Sequence, residues 1–551
     1  MTRRKSCDTG IRFVHNDFYI RSPSTSNNET FAGYIYLGYD YDVDNDVFTV
    51  SETSGTLALK NSAASKTITV GNLYMAKGTV IAWGADKPTL AGAIYVESSE
   101  ATIFSQDAAT LYITSSIVKN TSDAVLNLIP YDKNGSKGVI CIKGTSNINC
   151  PLKLTKGTLF FDGSNSFDSD FGVNLQDGTS MKLGGNYVGV ADTSIVINGS
   201  VLYGHLEGTS ANKVVYSNII VPDGSTLNAK NSYGAGAKGS MVFGGDLQGS
   251  GALVVDTVGS TNTNSLTLGH SENSFTGTVS VNSGKLQFTV LGYDNVTYTG
   301  TNALINAASV AVASGATIDV GDTTQTLNNL SGAGTVTVGQ DGSLTLNNTE
   351  LSKFSGSISA PEVKKTDDGT LQIYSAAENM IVADSFVVSS GRLDMQKYFK
   401  GVLTVGEKLD PENYLTAIFS PGNSVGSLEI TGDFTLNPGS TLLLEFDETG
   451  ADSLLVSGTT EFAEGSIITL ALDEGASPVP NQQVSFQLPA NIGSFENAEL
   501  SYPSYLTGIS YNPTTGVLSA TVDANAVPEP STWALLALGV VVLFLRKRVR
   551  N

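Results

Sequence analysis

An all-β chain wound into a β-solenoid is the fold class that this sequence predicts, and three observations predict it. Charged residues make up only 15 % of the 551 positions while glycine takes 58 of them, a composition of many turns and little charged surface. Hydrophobic residues still amount to 40 %, enough to bury a core and too many for a disordered chain. Good helix formers do not cluster at helical spacing before residue 530, so long helices are not expected.

The repeats carry the prediction further. One phrase recurs: an alternating stretch, a glycine turn and a second alternating stretch. It reads LTKGTLFF at 154–161, LQDGTSMKL at 175–183, VPDGSTLNA at 221–229 and VNSGKLQF at 281–288. It returns as VASGATIDV at 312–320, VGQDGSLTL at 338–346, KTDDGTLQI at 365–373 and VVSSGRLDM at 387–395. Gly284, Gly315, Gly342, Gly369 and Gly391 are separated by 31, 27, 27 and 22 residues. A drifting period of this length, built on short strands, is the signature of stacked coils with loops of variable length at a corner. Alternation turns one side chain into the core and the next to solvent, and glycine supplies the positive φ or tight corner. A string of β-sandwiches would also give strands at close spacing, but no cysteine–tryptophan–cysteine core is present. At about 24 residues per turn, residues 31–500 would make roughly twenty coils.

NSFTGTVSVNSGKLQF at 273–288 resembles the autotransporter-associated β-strand repeat, in which an Asn, an aromatic and a Thr-Gly turn precede V-x-x-G-x-L. SPGNSVGSLEITGDFTLNPGSTLLLEF at 420–446, followed by DSLLVSG at 452–458, is similar to the final module of that family. The resemblance implies a right-handed parallel β-helix, exported and displayed, to which the repeats assign no activity. The family's translocating barrel of amphipathic strands has no counterpart after the module, so self-translocation is not expected.

The last residues, VPEPSTWALLALGVVVLFLRKRVRN, are unlike the rest. Pro528, Glu529 and Pro530, then an apolar run over 533–545, then Arg546, Lys547, Arg548 and Arg550, resemble the PEP-CTERM sorting signal. The resemblance implies an exosortase, a membrane protease, as partner, with the tripeptide as recognition motif. Thirteen apolar residues in a helix cover about 20 Å of a roughly 30 Å hydrocarbon core. Such a short C-terminal hydrophobic helix suits transient retention and cleavage. The basic cluster is the expected stop-transfer element, held in the cytoplasm with the solenoid outside. The start of the chain, MTRRKSCDTGIRFVHNDFYI, is basic but lacks the apolar run of a signal peptide. An exported protein needs one, so either a mis-assigned start codon or a gene fragment is expected. The expected organisation is an N-terminal segment at 1–30, solenoid repeats at 31–417, a C-terminal module and cap at 418–523, and the sorting signal at 524–551.

Charge narrows the partners. Removing the +3 of residues 1–21 and the +4 of residues 546–551 from the total of −21 leaves −28 for the body, where Arg392 is the only arginine. Such a body has no electrostatic footprint for nucleic acid. Extracellular polysaccharide is a candidate partner, and no cofactor is expected. The three histidines show no metal spacing, and His205 and His270 read as loop residues. Cys141 and Cys150 bracket IKGTSNIN and read equally as a disulfide in an oxidising compartment or as two small buried hydrophobes. Asp40, Asp42, Asp44 and Asp46 alternate along DYDVDNDVF, a candidate calcium set, although Asn45 and Ser51 stand where an EF-hand loop has Gly and Glu. A solvated strand face explains the same residues. These readings point to a cell-envelope structural or adhesive protein and not an enzyme. The alternative is a glycosidase-like polysaccharide-processing enzyme, which would need paired carboxylates in a groove.

Overall fold

The computed structural model describes residues 12–525 apart from short stretches, the longest being 22–28, 61–67, 132–137, 206–212, 232–239, 258–264 and 375–380. Residues 1–11 and 526–551 lie outside the description. Two compact units make up the chain, Met1–Asn328 and Asn329–Asn551.

In the first unit each turn of chain supplies three short strands, one to each of three parallel ladders. The turn made by Leu73–Met75, Gly78–Trp83 and Thr89–Leu90 shows why. Successive side chains of a strand alternate between two faces, so every second one, such as Leu73, Met75, Val80 and Ala82, is turned to the same interior. Leu73 stacks between Ile35 and Ile94, Val80 between Leu57 and Ile103, and Leu90 between Val70 and Ile113. All nine are 0–1 % exposed. In-register stacking of like on like makes the core continuous along each ladder, and each leucine contributes about 1.5–3 kcal/mol by burial. The result is an all-β, parallel β-solenoid.

The expected count of roughly twenty coils is corrected, since the described residues make about 14 turns. The step between stacked partners runs from Cys141 over Phe160 to Thr30 over Thr69, so turns cannot be counted by dividing length by a mean period. The longest ladder among the described residues of this unit holds twelve strands, Glu29–Phe31 through Ser309–Val312. Loops of unequal length absorb the difference. One is an antiparallel hairpin, Thr289–Leu291 with Thr297–Thr299. Its Tyr298 packs on Val214 and Val242 and donates to the Tyr216 hydroxyl at 2.9 Å.

Turn glycines follow both expected routes. Gly284 has φ +73°, a left-handed conformation that glycine adopts without strain. Gly369 does not. The left-handed residue of its turn is Asp367, φ 61°, and Gly369 is needed because a Cβ would sit 2.5–2.6 Å from the backbone of Asn348, Thr349 and Glu350.

The second unit repeats the plan with longer strands. Gly391–Val405 runs for 15 residues. Its first part pairs with Thr370–Tyr374 and Ala417–Ser420, and its later parts pair with Ser427–Thr431 and Phe434–Leu436. Lys397 at φ 77° marks the change of direction. Leu344, Leu371 and Leu393 all point into this unit's core at 0–1 % exposure, as Leu286 does in the first unit. The parallel order ends at Gln483–Gln487, which pairs antiparallel with Val517–Val522, itself antiparallel to Leu506–Asn512. Antiparallel closure covers strand edges that would otherwise template association. Among the described residues the single helical element is the short turn Phe495–Asn497, and no helix is long and apolar enough to cross a membrane. The expected hydrophobic helix at 533–545 lies outside the described residues.

Candidate functional site

In the second unit, alternation turns Leu371, Leu393 and Phe419 inward and places Gln372, Asp394 and Ser420 on the outer face, in register across three strands. Polar residues facing outward should meet solvent, yet Asp394 is 1 % exposed and Ser420 0 %. The SPGNSVGS segment, residues 420–427, accounts for this. It forms a strap fastened by its own side chains and main chain. Asn423 Nδ2 donates to the Tyr374 hydroxyl, and Ser424 Oγ donates to Asp473 Oδ2 at 2.8 Å. The Gly426 N–H donates to Asp452 Oδ1 at 2.7 Å. The other oxygen of Asp452 accepts the Glu445 N–H at 2.7 Å. One buried carboxylate therefore ties the strap to strand Thr441–Phe446.

Arg392 completes the cluster. Its Nε donates to Asp394 Oδ1 at 2.5 Å, and its Nη2 to Glu445 Oε2 at 3.2 Å. Gln372 Nε2 reaches Asp394 Oδ2 at 3.2 Å, and Ser420 Oγ reaches Glu445 Oε2 at 3.4 Å. A guanidinium's rigid fork suits this double engagement in a way an ammonium does not. Burial pushes the Asp394 carboxyl up to about 6 even though Arg392 pulls it down. Burial also pushes Asp452 up to about 7, with Glu445 and Asp473 adding like-charge repulsion and two backbone N–H bonds opposing. Chemically the arrangement is a fastening: its carboxylates are committed to a guanidinium and to main-chain donors.

The neighbouring turn holds a second fastening. Lys365 is 0 % exposed, and its ammonium donates to the carbonyls of Thr366, Asp367 and Ser390 at 2.7–3.0 Å. Desolvation pushes its pKa down to about 8. The phrase KTDDGTLQI drew notice for its glycine. The lysine that bridges two turns was missed, because an isolated Lys in a polar turn reads as solvent-facing.

Residues singled out in the sequence fall as follows. Cys141 and Cys150 are free and buried, and burial pushes both thiols up to about 12. Of the two readings kept open, the small-hydrophobe one holds in this structure. His205 ends strand Ser200–His205, which corrects its loop assignment: the alternating stretch before it runs on into the ladder. His270 is exposed in a bend. Asp40 and Asp42 lie on strand Tyr39–Asp42, hairpin-paired with Val47–Val50, while Asp44 and Asp46 lie outside the described residues. So do Pro528, Glu529 and Pro530, and Arg546, Lys547, Arg548 and Arg550.

Residues 526–548 match the family described as the PEP-CTERM protein-sorting motif. No curated protein matches the chain.

Proposed function

We propose that this chain, which carries a PEP-CTERM sorting motif after its β-solenoid, is a structural or adhesive protein of the cell envelope, engaged and cleaved by an exosortase. The match at residues 526–548 carries the reading. On this reading the apolar run at 533–545 enters the inner membrane as a short helix. Glu529, between two prolines that keep the chain extended, presents the recognition site. Arg546, Lys547, Arg548 and Arg550 hold the end in the cytoplasm until cleavage. The protein released outside carries a right-handed parallel β-helix with autotransporter-like repeats. Extracellular polysaccharide is its candidate ligand, and its net negative body disfavours nucleic acid. The reading is non-enzymatic. It is supported by the commitment of Asp394 and Glu445 to Arg392 under the strap, where a glycosidase would need them open to a sugar.

The test is the mass of the C-terminal peptide in protein released from the surface of cells that contain an exosortase and supply an export signal. Loss of the residues following the tripeptide region is expected. Glu529→Ala should leave insertion intact and let the uncleaved chain accumulate in the membrane. A released protein still ending in RKRVRN would overturn the sorting reading and leave the tail as an anchor.

A further inference from the structure

We infer that Tyr36, Tyr74 and Tyr95 form an oxidative cross-linking site, at which a one-electron oxidant, a peroxidase with hydrogen peroxide, joins neighbouring turns of the solenoid through a dityrosine bond. The three tyrosines hold the same register position on successive strands, Ile35–Leu37, Leu73–Met75 and Ile94–Val96. Alternation turns the residues flanking each tyrosine, such as Leu73 and Met75, into the core at 0 % exposure. It leaves the tyrosines half-buried on the outer face. Their rings lie face to face, with centroids 4.7 Å and 4.4 Å apart and interplanar angles of 10° and 13°. Val118 follows Tyr95 in register and ends the row.

Half-buried rings are open to a reagent, and every ring in this row carries an oxidisable hydroxyl. Loss of one electron and the phenolic proton leaves a phenoxyl radical, with unpaired spin on the two Cε carbons beside the oxygen-bearing carbon. A second phenoxyl radical on the next turn pairs its electron with the first, and a Cε–Cε bond forms. Each of those carbons then gives up its hydrogen as a proton while the oxygen of the same ring takes one up, which restores two aromatic phenols. Two tyrosines and one hydrogen peroxide thus give one dityrosine and two waters. In-register strands hold the partner about 4.8 Å away, so the encounter that limits coupling between separate phenols is already made. A turn of each ring about its side-chain torsions closes the remaining gap with the backbone in place. The bond joins turns of chain much as a disulfide would, restricting the unfolded state. Other aromatic pairs lack one requirement or another. Tyr216 and Tyr298 meet through their hydroxyls at 2.9 Å, but their rings are tilted by 59° with centroids 6.3 Å apart, and Tyr298 is 9 % exposed. Phe495 and Tyr511 stack at 4.0 Å with one phenol between them.

The test treats the full chain, kept dilute so that molecules seldom meet, with a peroxidase and hydrogen peroxide, and reads the digested peptides by mass spectrometry. Peptide pairs joining Tyr36 to Tyr74 and Tyr74 to Tyr95, each lighter by two hydrogens than its parts, should exceed the Tyr216–Tyr298 pair by at least about tenfold. Tyr74→Phe keeps the ring and its apolar bulk but removes the central phenol, so both pairs should vanish. Tyr95→Phe should remove the second pair and spare the first. Absence of both pairs from the oxidised unaltered chain, or a yield no greater than that of Tyr216–Tyr298, overturns the proposal. A Tyr36–Tyr95 bond that takes their place in Tyr74→Phe also overturns it, because coupling would then not depend on adjacent stacked phenols.

Discussion

The ladder through Tyr74 in the first unit and the ladder through Asp394 in the second solve the same problem differently. Each has an apolar row inside: Leu73, Ile94 and Ile117 in one, Leu371, Leu393 and Phe419 in the other, all 0 % exposed. They differ outside. The first stacks tyrosines, Tyr36 on Tyr74 at 4.7 Å and Tyr74 on Tyr95 at 4.4 Å, with interplanar angles of 10° and 13°. The second carries charge, roofed by the strap and balanced around one arginine. In-register stacking brings side chains of successive turns face to face, so phenol rings can stack along an outer row. In the other row a single carboxylate, Asp394, lies between the neutral Gln372 and Ser420 and takes its counter-charge from Arg392 on its own strand.

Three tests, the first a pair of substitutions, would break or sharpen this contrast, taken from the largest effect to the smallest. Leu344→Asp places an unpaired charge in the second unit's core and should destabilise by more than about 4 kcal/mol. Thr345→Asp, one residue along on the half-buried outer side, should stay within about 1 kcal/mol. Chemical denaturation of both variants reads the difference, and equal losses would defeat the inward–outward assignment of Ser343–Asn347. Next, Arg392→Ala strands Asp394 and Glu445 and should lose about 3–5 kcal/mol. Much of that loss should return at acidic pH, where Asp394 is neutral, so melts at two pH values separate lost charge balance from lost packing. Smallest, Tyr74→Leu keeps apolar bulk but removes the central ring of the stack. A loss of about 0.5–1.5 kcal/mol is expected, with no dependence on pH across the range that moves Arg392→Ala. A pH-dependent loss at Tyr74 would erase the distinction between the two faces.

Much of the architecture was legible in the sequence because it rests on local rules. The phrase around each turn glycine encodes alternation, and alternation decides which of Leu344 and Thr345 points inward wherever the chain is extended. The PEP-CTERM tail was legible for the same reason, since its order of tripeptide, apolar run and basic cluster is contiguous. Coil number was not. It depends on how many residues each loop diverts from the ladder, which a mean period conceals, and the hairpin at 289–299 is one such diversion.

By itself, then, the amino-acid order determined the all-β solenoid class, the inward rows and the sorting motif, since each is written in neighbouring residues. Only the tertiary structure decided that the lone Arg392 faces Glu445, 53 positions away, or that Asp452 secures Gly426. It also decided that Lys365 closes on the carbonyl of Ser390. Those partners are brought together by the winding of the chain, and a charge's partner across turns depends on register and loop length, quantities that no single turn of sequence contains.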